Sequence, residues 1–399
     1  MSKSTEIIAE YKKYLMPTYT PSVVISKAKG SRVYNPEGTQ YYDFTSGIGC
    51  HNVGHCTEGV VKAIQEQAAK LVHCSNLFVN EPQVKLAKKL VEISGLGGKV
   101  FFCNSGAEAN EAAIKLARKW GAANGGRYEV VTMRSSFHGR TLATLTATGQ
   151  DWCQAGFEPL PVGFAYADFN DIESVKAAVT DKTVAIMLEA VQGEGGVTPA
   201  TAEFMAGVRA LCDERNLIMI CDEVQCGMGR TGKWWGWQNY GVQPDLFTCA
   251  KSIADGVPMG ALVSNAKFAD VFQPGNHAST FGGNALACAA ALATIKIIED
   301  EKLLSAAAAK GEMLKAALQA FAEKYDQVLD VRGLGLMLGM VMDGDPKAVV
   351  DAFRDFNVLA LTAGGNVVRF LPTLSMTEAH IEEAVEMMGD ALDGLFAAE

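Results

Sequence analysis

The sequence is poor in features that mark several classes of protein. Its ten cysteines form no Cys-x-x-Cys pair, and it contains only six histidines. Such usage predicts reduced thiols that serve as small apolar residues, and no metal site. The net charge at pH 7 is −10, whereas nucleic-acid-binding proteins concentrate Lys and Arg on one face. We therefore expect no nucleic-acid partner.

Long apolar runs are also missing. The longest, Ala285 to Ile298, is rich in alanine and interrupted by Thr294 and Lys296, so it predicts a buried helix rather than a membrane span. The amino-terminal residues, MSKSTEIIAEYKKYL, contain no continuous apolar segment followed by a small-residue cleavage site and are not typical of a signal peptide. We expect a cytoplasmic protein without a membrane partner.

The order of predicted elements indicates an α/β protein. Between about residues 100 and 265, short apolar runs that predict strands alternate with patterns that predict helices, as in a mainly parallel, doubly wound sheet. Composition changes near residue 300, after which helices and paired strands predict a separate α+β lobe. We expect a large domain over residues 46–299 and a small domain formed by residues 1–45 and 300–399.

An acidic and a basic residue follow two of the predicted strands. Asp222 ends the apolar run that starts at Leu217, and Lys251 follows the run from Asp245 to Ala250. Ligands of open parallel sheets bind outside the carboxyl ends of the strands, so both side chains would reach one crevice. A lysine there can form a Schiff base with an aldehyde, and an aspartate can keep a pyridine nitrogen protonated, as pyridoxal phosphate requires. On these two residues alone, a structural or solvated ion pair is the simpler interpretation.

An anion site is predicted after the strand from Val100 to Cys103. The segment from Asn104 to Glu108 is a turn of small residues that leads into a helix. A helix amino terminus offers unpaired N–H groups and the positive end of a dipole. Ser105 and Glu108 fit a simple capping box equally well. Gly106 permits close approach of the backbone, which favours a phosphate site.

Further residues at strand ends and in loops are candidates for binding ligands. Arg140 can hold a carboxylate by two parallel hydrogen bonds, although a surface salt bridge also explains it. Phe137 can stack on an aromatic cofactor or lie in the core. Glu194 lies among three glycines, in a loop that is mobile or approaches the site closely. Arg369 lies on a short predicted strand of the small lobe.

Eight segments, taken together and in order, resemble the class III aminotransferases, which are pyridoxal-phosphate enzymes of subgroup II and fold type I. Within that family they are most similar to acetylornithine aminotransferases. The resemblance covers nearly the whole chain and rests on NSGAEANEAAIKLAR (104–118), SFHGRT (136–141), QGEGG (192–196), DEVQCGMGRTGK (222–233), AKSIADGVPMGA (250–261), STFGGNALAC (279–288), VRGLGLMLG (331–339) and NVVRFLP (366–372). It implies a mainly parallel, seven-stranded sheet with helices on both faces, and a smaller α+β lobe built from both chain ends.

The resemblance assigns residues to the cofactor, pyridoxal 5′-phosphate. It implies that Lys251 forms the Schiff base and moves the substrate proton, and that Asp222 keeps the pyridine nitrogen protonated. Gln225 would approach the phenolic oxygen. Thr280 would reach the phosphate of the neighbouring subunit, so the active unit would be a homodimer. The other residues would bind the phosphate (Ser105, Gly106 and Ala107), enclose the ring (Phe137 and Val224) or lie next to the cofactor (Glu223).

The resemblance also implies two carboxylate sites and a ping-pong reaction. Arg140 would bind the α-carboxylate of the amino donor, and Ser279 would contact the donor near its acylated end. Arg369 would bind a carboxylate of 2-oxoglutarate or glutamate, and Glu194 would neutralise Arg369 while the donor occupies the site. The terminal amino group of the donor would pass to the cofactor and then to 2-oxoglutarate, which gives glutamate.

Departures from the family pattern bear on the substrate. Ile48 stands where free-ornithine aminotransferases tend to carry tyrosine, which favours an N-acylated donor, and Asp255 interrupts the glycine run that usually follows the lysine. We predict an N2-acetylornithine:2-oxoglutarate 5-aminotransferase of arginine biosynthesis. The alternatives are another ω-amino acid aminotransferase, acting on succinylornithine, succinyl-diaminopimelate, ornithine or 4-aminobutyrate, and a non-catalytic protein that binds the cofactor. A pocket discriminates such donors by only about 1–3 kcal/mol per group.

Overall fold

The structure, a computed structural model, describes residues 2–396 of the chain. Its strands are β1 (Lys27–Lys29), β2 (Arg32–Tyr34), β3 (Gln40–Asp43), β4 (Gly97–Cys103), β5 (Glu129–Met133), β6 (Phe164–Ala167), β7 (Thr183–Glu189), β8 (Val191–Gln192), β9 (Thr198–Pro199), β10 (Ile218–Asp222), β11 (Leu246–Cys249), β12 (Gly260–Asn265), β13 (Val328–Leu334), β14 (Met337–Met342), β15 (Val358–Leu359), β16 (Leu361–Ala363) and β17 (Val367–Phe370).

The helices surround these strands and connect them. They are α1 (Lys3–Tyr14), α2 (Ser46–Gly49), α3 (Glu58–Ala68), α4 (Glu81–Ser94), α5 (Gly106–Ala123), α6 (Leu142–Ala147), α7 (Asp151–Gln154), α8 (Ile172–Ala178), α9 (Ala202–Arg215), α10 (Ala285–Asp300), α11 (Leu303–Lys324), α12 (Pro346–Asp355) and α13 (Glu378–Phe396). Short 3-10 turns lie at Gly236–Tyr240, Lys251–Ala254 and Ala266–Phe268.

Seven strands form the central sheet, in the order β4-β12-β11-β10-β7-β5-β6. β10 runs parallel to β7 and β11, and β5 runs parallel to β6 and β7. β12 is reversed and pairs antiparallel with β4 and β11. Every residue of β7 and β10 is buried, as is typical of parallel strands that are covered by helices on both faces. The predicted fold class is therefore confirmed.

The register of the parallel strands brings polar residues to one edge of this sheet. Asp222, the last residue of β10, lies beside Glu189, the last residue of β7, and beside Thr248 of β11. Lys251 follows β11 after one intervening residue. Because parallel strands end at the same edge, residues that are far apart in the sequence enter one crevice.

Two four-stranded sheets lie outside the central sheet, and one of them contains strands from both ends of the chain. In the sheet β1-β2-β3-β15, β15 pairs in parallel with β3, so that Val358 lies opposite Tyr42 and Leu359 opposite Asp43. The sheet β13-β14-β17-β16 is antiparallel. The smaller α+β part of the fold is thus built from both chain ends. The exact domain boundaries, at residues 46 and 299, stay a prediction.

The alanine-rich run that predicts a buried helix forms α10, which packs against α3, α4 and α11. Its small side chains let these helices approach closely, and it begins at a cap in which Asn284 accepts a hydrogen bond from the amide of Ala287. None of the helices within residues 2–396 is long and apolar enough to cross a membrane.

Arg230, in the loop after β10, connects three segments of the smaller sheets. It is fully buried. Its guanidinium donates to the carbonyl oxygens of Leu336 (3.0 Å) and Pro372 and to the side chains of Ser46 (3.2 Å) and Asn52 (2.5 Å). Burial lowers the pKa of Arg230, and none of these four partners is a carboxylate. One side chain therefore holds together loops that meet near the edge of the central sheet.

Replacing Arg230 with methionine is expected to destabilise the protein by about 2–4 kcal/mol, because buried acceptors on three segments lose their donor. The removal of a buried charge offsets only part of this loss. Thermal unfolding midpoints at equal protein and cofactor concentrations measure the effect. The matched control is Arg354→Met, which breaks a partly exposed pair with Asp351 (2.6 Å) and should cost at most about 1 kcal/mol. Equal midpoints for the two variants would contradict the role given to Arg230.

Candidate active site

A cavity of about 560 Å³ lies at the carboxyl ends of the central strands. Loops that follow β4, β5, β7, β10 and β11 contribute its walls, together with the segment that follows β3. Most of the residues that the sequence predicts for the site line this one cavity, namely Ser105, Gly106, Ala107, Phe137, Arg140, Glu194, Asp222, Val224, Gln225 and Lys251.

Asp222 is 3% exposed and accepts hydrogen bonds from three groups. Its Oδ2 accepts from Asn110 Nδ2 (2.7 Å) and from His138 Nδ1 (2.8 Å), and its Oδ1 accepts from the amide of Val224 (3.0 Å). Asn110 is itself held, because its Oδ1 accepts from the hydroxyl of Thr248 (2.6 Å). A buried carboxylate needs such partners. They fix the orientation in which Asp222 meets the cavity.

A second carboxyl, that of Glu189, lies next to Asp222 in the register of β7 and β10. Its oxygens accept from the amides of Phe137 (3.1 Å) and Gly193 (3.4 Å). Burial raises the pKa of Glu189 well above its ordinary value, and the negative charge of Asp222 raises it further. Glu189 thus connects two loops of the site, and in its neutral form it places no second negative charge beside Asp222.

Lys251 lines the cavity in an unusual backbone conformation. Its φ of 51° lies in the left-handed region, which residues other than glycine rarely adopt. Burial lowers the pKa of its amine, Glu194 acts in the opposite direction, and the net pKa lies below 10.5. A lowered pKa makes the neutral amine more abundant near pH 7. The neutral amine is the form that attacks an aldehyde.

The amino terminus of α5 forms part of the cavity wall. Ser105 Oγ accepts from the amide of Glu108 (3.2 Å), and the Glu108 carboxylate accepts from the amide of Asn104 (2.6 Å). The amides of Gly106 and Ala107 make no hydrogen bond within the described part of the chain. The capping arrangement and the anion site are therefore compatible, since two further N–H groups remain free at the positive end of the helix dipole.

Arg369, in β17, is 3% exposed and does not itself line the cavity, but it contacts two residues that do. Its Nη1 donates to Glu194 Oε1 (2.6 Å), Gln225 Oε1 (3.1 Å) and the carbonyl of Gly193 (3.0 Å). Burial acts to raise the pKa of Glu194, but the nearby Arg369 and Lys251 outweigh it, and the pKa ends below its usual value. Glu194 and Arg369 thus neutralise each other in the cavity wall.

Arg140 is exposed, and its guanidinium is stacked rather than paired. Its Cζ lies 5.4 Å from the ring centroid of Phe137 and 5.2 Å from that of Trp152. Among residues 2–396 it makes no hydrogen bond and no ion pair, so the surface salt bridge that would explain it without a ligand is not found there. Its N–H groups remain available for a carboxylate.

Glu223 does not line the cavity, unlike the other predicted residues of its segment. Its carboxylate accepts from the amides of Gly236 (2.6 Å) and Trp237 (3.0 Å), and burial raises its pKa to about 7. Successive side chains at a strand end point in opposite directions. Because Asp222 faces the cavity, Glu223 faces away from it, and the structure gives no support to Glu223 as a cofactor-binding residue.

Ser279 and Thr280 lie outside the cavity that contains Lys251. They line a separate depression with Leu77 and His277, and Ser279 Oγ accepts from Asn104 Nδ2 (3.3 Å). The structure of one chain therefore does not bring these two hydroxyls to the other predicted site residues.

Asp255, which departs from the family pattern, is buried in the turn after Lys251 with a φ of 45°. Its Oδ1 accepts from the amide of Val53 (3.1 Å), and its Oδ2 lies 3.8 Å from His51 Nδ1. The rings of His51 and His55 stack with centroids 4.2 Å apart. Residues 2–396 contain no group of three or more side chains arranged to hold a metal ion.

Sequence reasoning missed three residues that contact the site. Asn110 lies on the otherwise apolar face of α5. A polar residue on such a face is the feature from which its role could have been predicted. His138 lies within a family segment, but nothing in the sequence links it to Asp222. Trp152 belongs to α7, a helix of one turn, which periodicity does not predict.

A family model for class-III aminotransferases matches residues 14–392. The chain belongs to this family. It is 47% identical to the acetylornithine aminotransferase of Methanocaldococcus jannaschii, over 99% of both chains. It is also 47% identical to the acetylornithine aminotransferase of Caldanaerobacter subterraneus, over 97% of this chain and 99% of that one.

Solved structures of class-III aminotransferases share the fold. An ornithine aminotransferase from Toxoplasma gondii superposes with a TM-score of 0.96 at 31% identity and covers 100% of this chain, which covers 97% of that one. An acetylornithine aminotransferase from Elizabethkingia anophelis gives a TM-score of 0.87 at 31% identity, and the match covers 98% of this chain and 99% of that one. The chain is thus a transaminase that depends on pyridoxal phosphate.

The residues of the cavity fit this cofactor. Free amides at the start of α5 suit its phosphate, a buried Asp222 suits its pyridinium nitrogen, and the amine of Lys251 suits its aldehyde. Val224 packs closely on Gly106, where a Cβ would lie 2.8 Å from Val224 Cγ1. A side chain at position 106 would therefore displace one wall of the cavity.

In the cofactor-free protein, Lys251 should be acetylated by acetic anhydride with a pH midpoint below 10.5, because burial favours its neutral form. Glu194→Gln should lower the midpoint further, since it removes a negative charge that favours the ammonium. Peptide mass spectrometry after brief labelling across pH 6–11 gives the midpoint, and a free lysine amide provides the reference. A midpoint at or above that of the reference would contradict the buried environment given to Lys251.

Proposed function

We propose that this chain is an N2-acetylornithine:2-oxoglutarate 5-aminotransferase, which transfers the terminal amino group of the donor by a ping-pong reaction. The relatives at 47% identity that cover nearly the whole chain support the donor. The observation that carries the proposal is a pair of arginines near Lys251: Arg140 lines the same cavity with free donors, and Arg369 is paired with the cavity residue Glu194. Two substrates that carry carboxylates and bind one after the other each need an arginine of this kind.

Arg140 would bind the α-carboxylate of the donor. It needs no rearrangement for this, because its N–H groups have no protein partner within residues 2–396; its guanidinium carbon lies 5.4 Å from the ring centroid of Phe137 and 5.2 Å from that of Trp152. The donor's terminal amine would then extend toward Lys251. While the donor is bound, Arg369 remains neutralised by Glu194, so its charge does not attract the donor in the wrong orientation.

In the second half of the reaction, Arg369 would bind a carboxylate of 2-oxoglutarate. This requires Glu194 to move away, since Arg369 is buried and its Nη1 is occupied by Glu194, Gln225 and Gly193. Glu194 lies in a loop with glycines on both sides, which allows such a displacement. The exchange of one carboxylate for another keeps the buried arginine paired throughout.

Pyridoxal phosphate supplies the electron-accepting ring on which the substrate C–H bond is weakened. Lys251 would hold the cofactor before substrate arrives, and its freed amine would then move the proton from the substrate carbon. Asp222, oriented by Asn110 and His138, would keep the ring nitrogen protonated. Phe137 and Val224 would enclose the ring. Gln225, held by Arg369, would lie near its phenolic oxygen.

The active unit would be a homodimer in the cytoplasm, with arginine biosynthesis as its context. Ser279 and Thr280 lie outside the cavity of their own chain, which suits residues that act in the neighbouring subunit. Large apolar side chains are exposed nearby at Leu77, Phe78, Val79 and Phe281. Exposed apolar surface of this kind marks an interface. The domains would divide at residues 46 and 299.

Free ornithine is the competing donor, because the ornithine aminotransferase of Toxoplasma gondii has the same fold. Fold likeness at 31% identity does not separate the two substrates. Ile48, between cavity residues Gly47 and Cys50, cannot donate the hydrogen bond that a tyrosine would offer to a free amino acid. A non-catalytic protein would not need a lysine together with two carboxylate sites.

For the purified holoenzyme, we expect kcat/KM of the first half-reaction to be higher for N2-acetylornithine than for ornithine or 4-aminobutyrate, by about tenfold or more, because Ile48 cannot offer a free amino acid the hydrogen bond that a tyrosine would. Rapid-mixing absorbance spectra with each donor, and with succinylornithine, measure this directly. A faster reaction with ornithine or 4-aminobutyrate would reject the proposed donor but keep the transaminase assignment.

A hybrid of Lys251→Ala and Thr280→Asp subunits tests the shared site. If Thr280 reaches the neighbour's phosphate, one site of the hybrid carries both defects and the other carries neither, so activity returns to about half of the wild-type value. A hybrid of Lys251→Ala with wild type is the control for half activity. Differently tagged subunits allow the hybrids to be purified. An inactive hybrid would mean that Thr280 serves its own chain.

A further inference from the structure

Arg140 is unusual among the charged side chains of the cavity because aromatic rings, not polar groups, hold it. Phe137 lies on one side at 5.4 Å and Trp152 at 5.2 Å, measured from the guanidinium carbon to the ring centroids. The backbone of Phe137 is held in place, because its amide donates to the buried Glu189 (3.1 Å). Only the Trp152 side of this arrangement depends on a residue that the catalytic scheme does not otherwise use.

Trp152 is held in place although its side chain is largely in solvent, with 68% of the residue exposed. Its indole N–H donates to Gln150 Oε1 (2.9 Å). Gln150 in turn donates through Nε2 to the carbonyl of Ser136 (2.9 Å), which immediately precedes Phe137. The tryptophan and the loop that carries Phe137 and Arg140 are thus connected by a short chain of hydrogen bonds.

A tryptophan face attracts a guanidinium by its quadrupole, and it does so without occupying any N–H donor. An arginine that was held by a carboxylate would have to release that partner before it bound substrate. An arginine held by rings keeps its bidentate edge free and its plane oriented.

We propose that Trp152 is a positioning residue for the donor's carboxylate: it holds Arg140 in the orientation that binds this group and thereby favours ω-amino donors that carry a carboxylate over simple amines. This inference rests on the proposed function of the same site. It assigns Trp152 no contact with the cofactor and no part in proton transfer.

Two donors that differ only in the carboxylate test the inference, namely N2-acetylornithine and N-acetyl-1,4-diaminobutane. The variants are Trp152→Ala, Trp152→Leu, which keeps apolar bulk without a ring, and Trp152→Phe, which keeps a ring. Ala and Leu should raise KM for N2-acetylornithine by about three- to tenfold with little change in kcat, while KM for the diamine stays unchanged. Phe should restore most of the loss.

A binding measurement on the holoenzyme provides a readout independent of turnover. N2-acetylnorvaline has the donor's carboxylate and acyl group but no terminal amine, so it binds without reacting. Calorimetric titration should show the same loss of affinity for Ala and Leu, of about three- to tenfold, and near wild-type affinity for Phe.

An equal loss for both donors would overturn the inference, because Trp152 would then act on the acyl end or on loop folding. No loss for Ala, or a Leu variant as good as Phe, would overturn it as well. If wild type prefers another ω-amino acid, the same comparison is made with that acid and the amine lacking its carboxylate. If the proposed donor is wrong, the wild-type rates show it. If the role of Trp152 is wrong, the ratio of the KM values for the two donors in the variants shows it.

Discussion

The buried carboxylate of Asp222 is the constraint on which the rest of the site depends. A charge at the end of β10, almost without solvent, requires donors, and it finds them on α5 through Asn110, on the loop after β5 through His138 and on its own loop through Val224. These contacts fix the start of α5 relative to the central sheet. They thereby place the free amides of α5, the Phe137 loop and Asp222 around one space.

Balance of charge explains the remaining polar residues of the cavity. Asp222 and Glu194 bring negative charge and Arg369 pairs with Glu194 beside the cavity, while burial and the charge of Asp222 raise the pKa of Glu189. Glu194 is the member of this pair that lies in a glycine-rich loop. Arg140 differs from Arg369, because it contacts two aromatic rings and no carboxylate neutralises its charge within residues 2–396. This arrangement supports the proposal that one site accepts in turn a donor and an acceptor that both carry carboxylates.

Much of this could be predicted from the sequence. Apolar runs that end at Asp222, Glu189 and Cys103 mark the strand ends, and they agree with β10, β7 and β4 because buried parallel strands have a strong local signal. The local sequence around Ser105 gives only weak support for a phosphate site, because a helix cap and an anion site share one sequence pattern. The prediction of a phosphate site there rests on the resemblance of this segment to the family pattern.

What the sequence could not supply depends on contacts between distant segments. Glu223 is adjacent to Asp222 in sequence but faces the opposite way, which strand pleating permits and a motif does not reveal. The four partners of Arg230 and the stacking of Trp152 on Arg140 join residues with no shared pattern. Thr280 lines a depression separate from the cavity that contains Lys251, which no motif in the sequence indicates.

We expect the chain to hold its cofactor at the amine of Lys251, which lines the same cavity as Asp222. Reduction of the holoenzyme with borohydride, followed by peptide mass spectrometry, tests it most directly. We expect one phosphopyridoxyl group per chain, on the peptide that contains Lys251, and none in Lys251→Ala. A label on a different lysine, or an unchanged label in that variant, would contradict it.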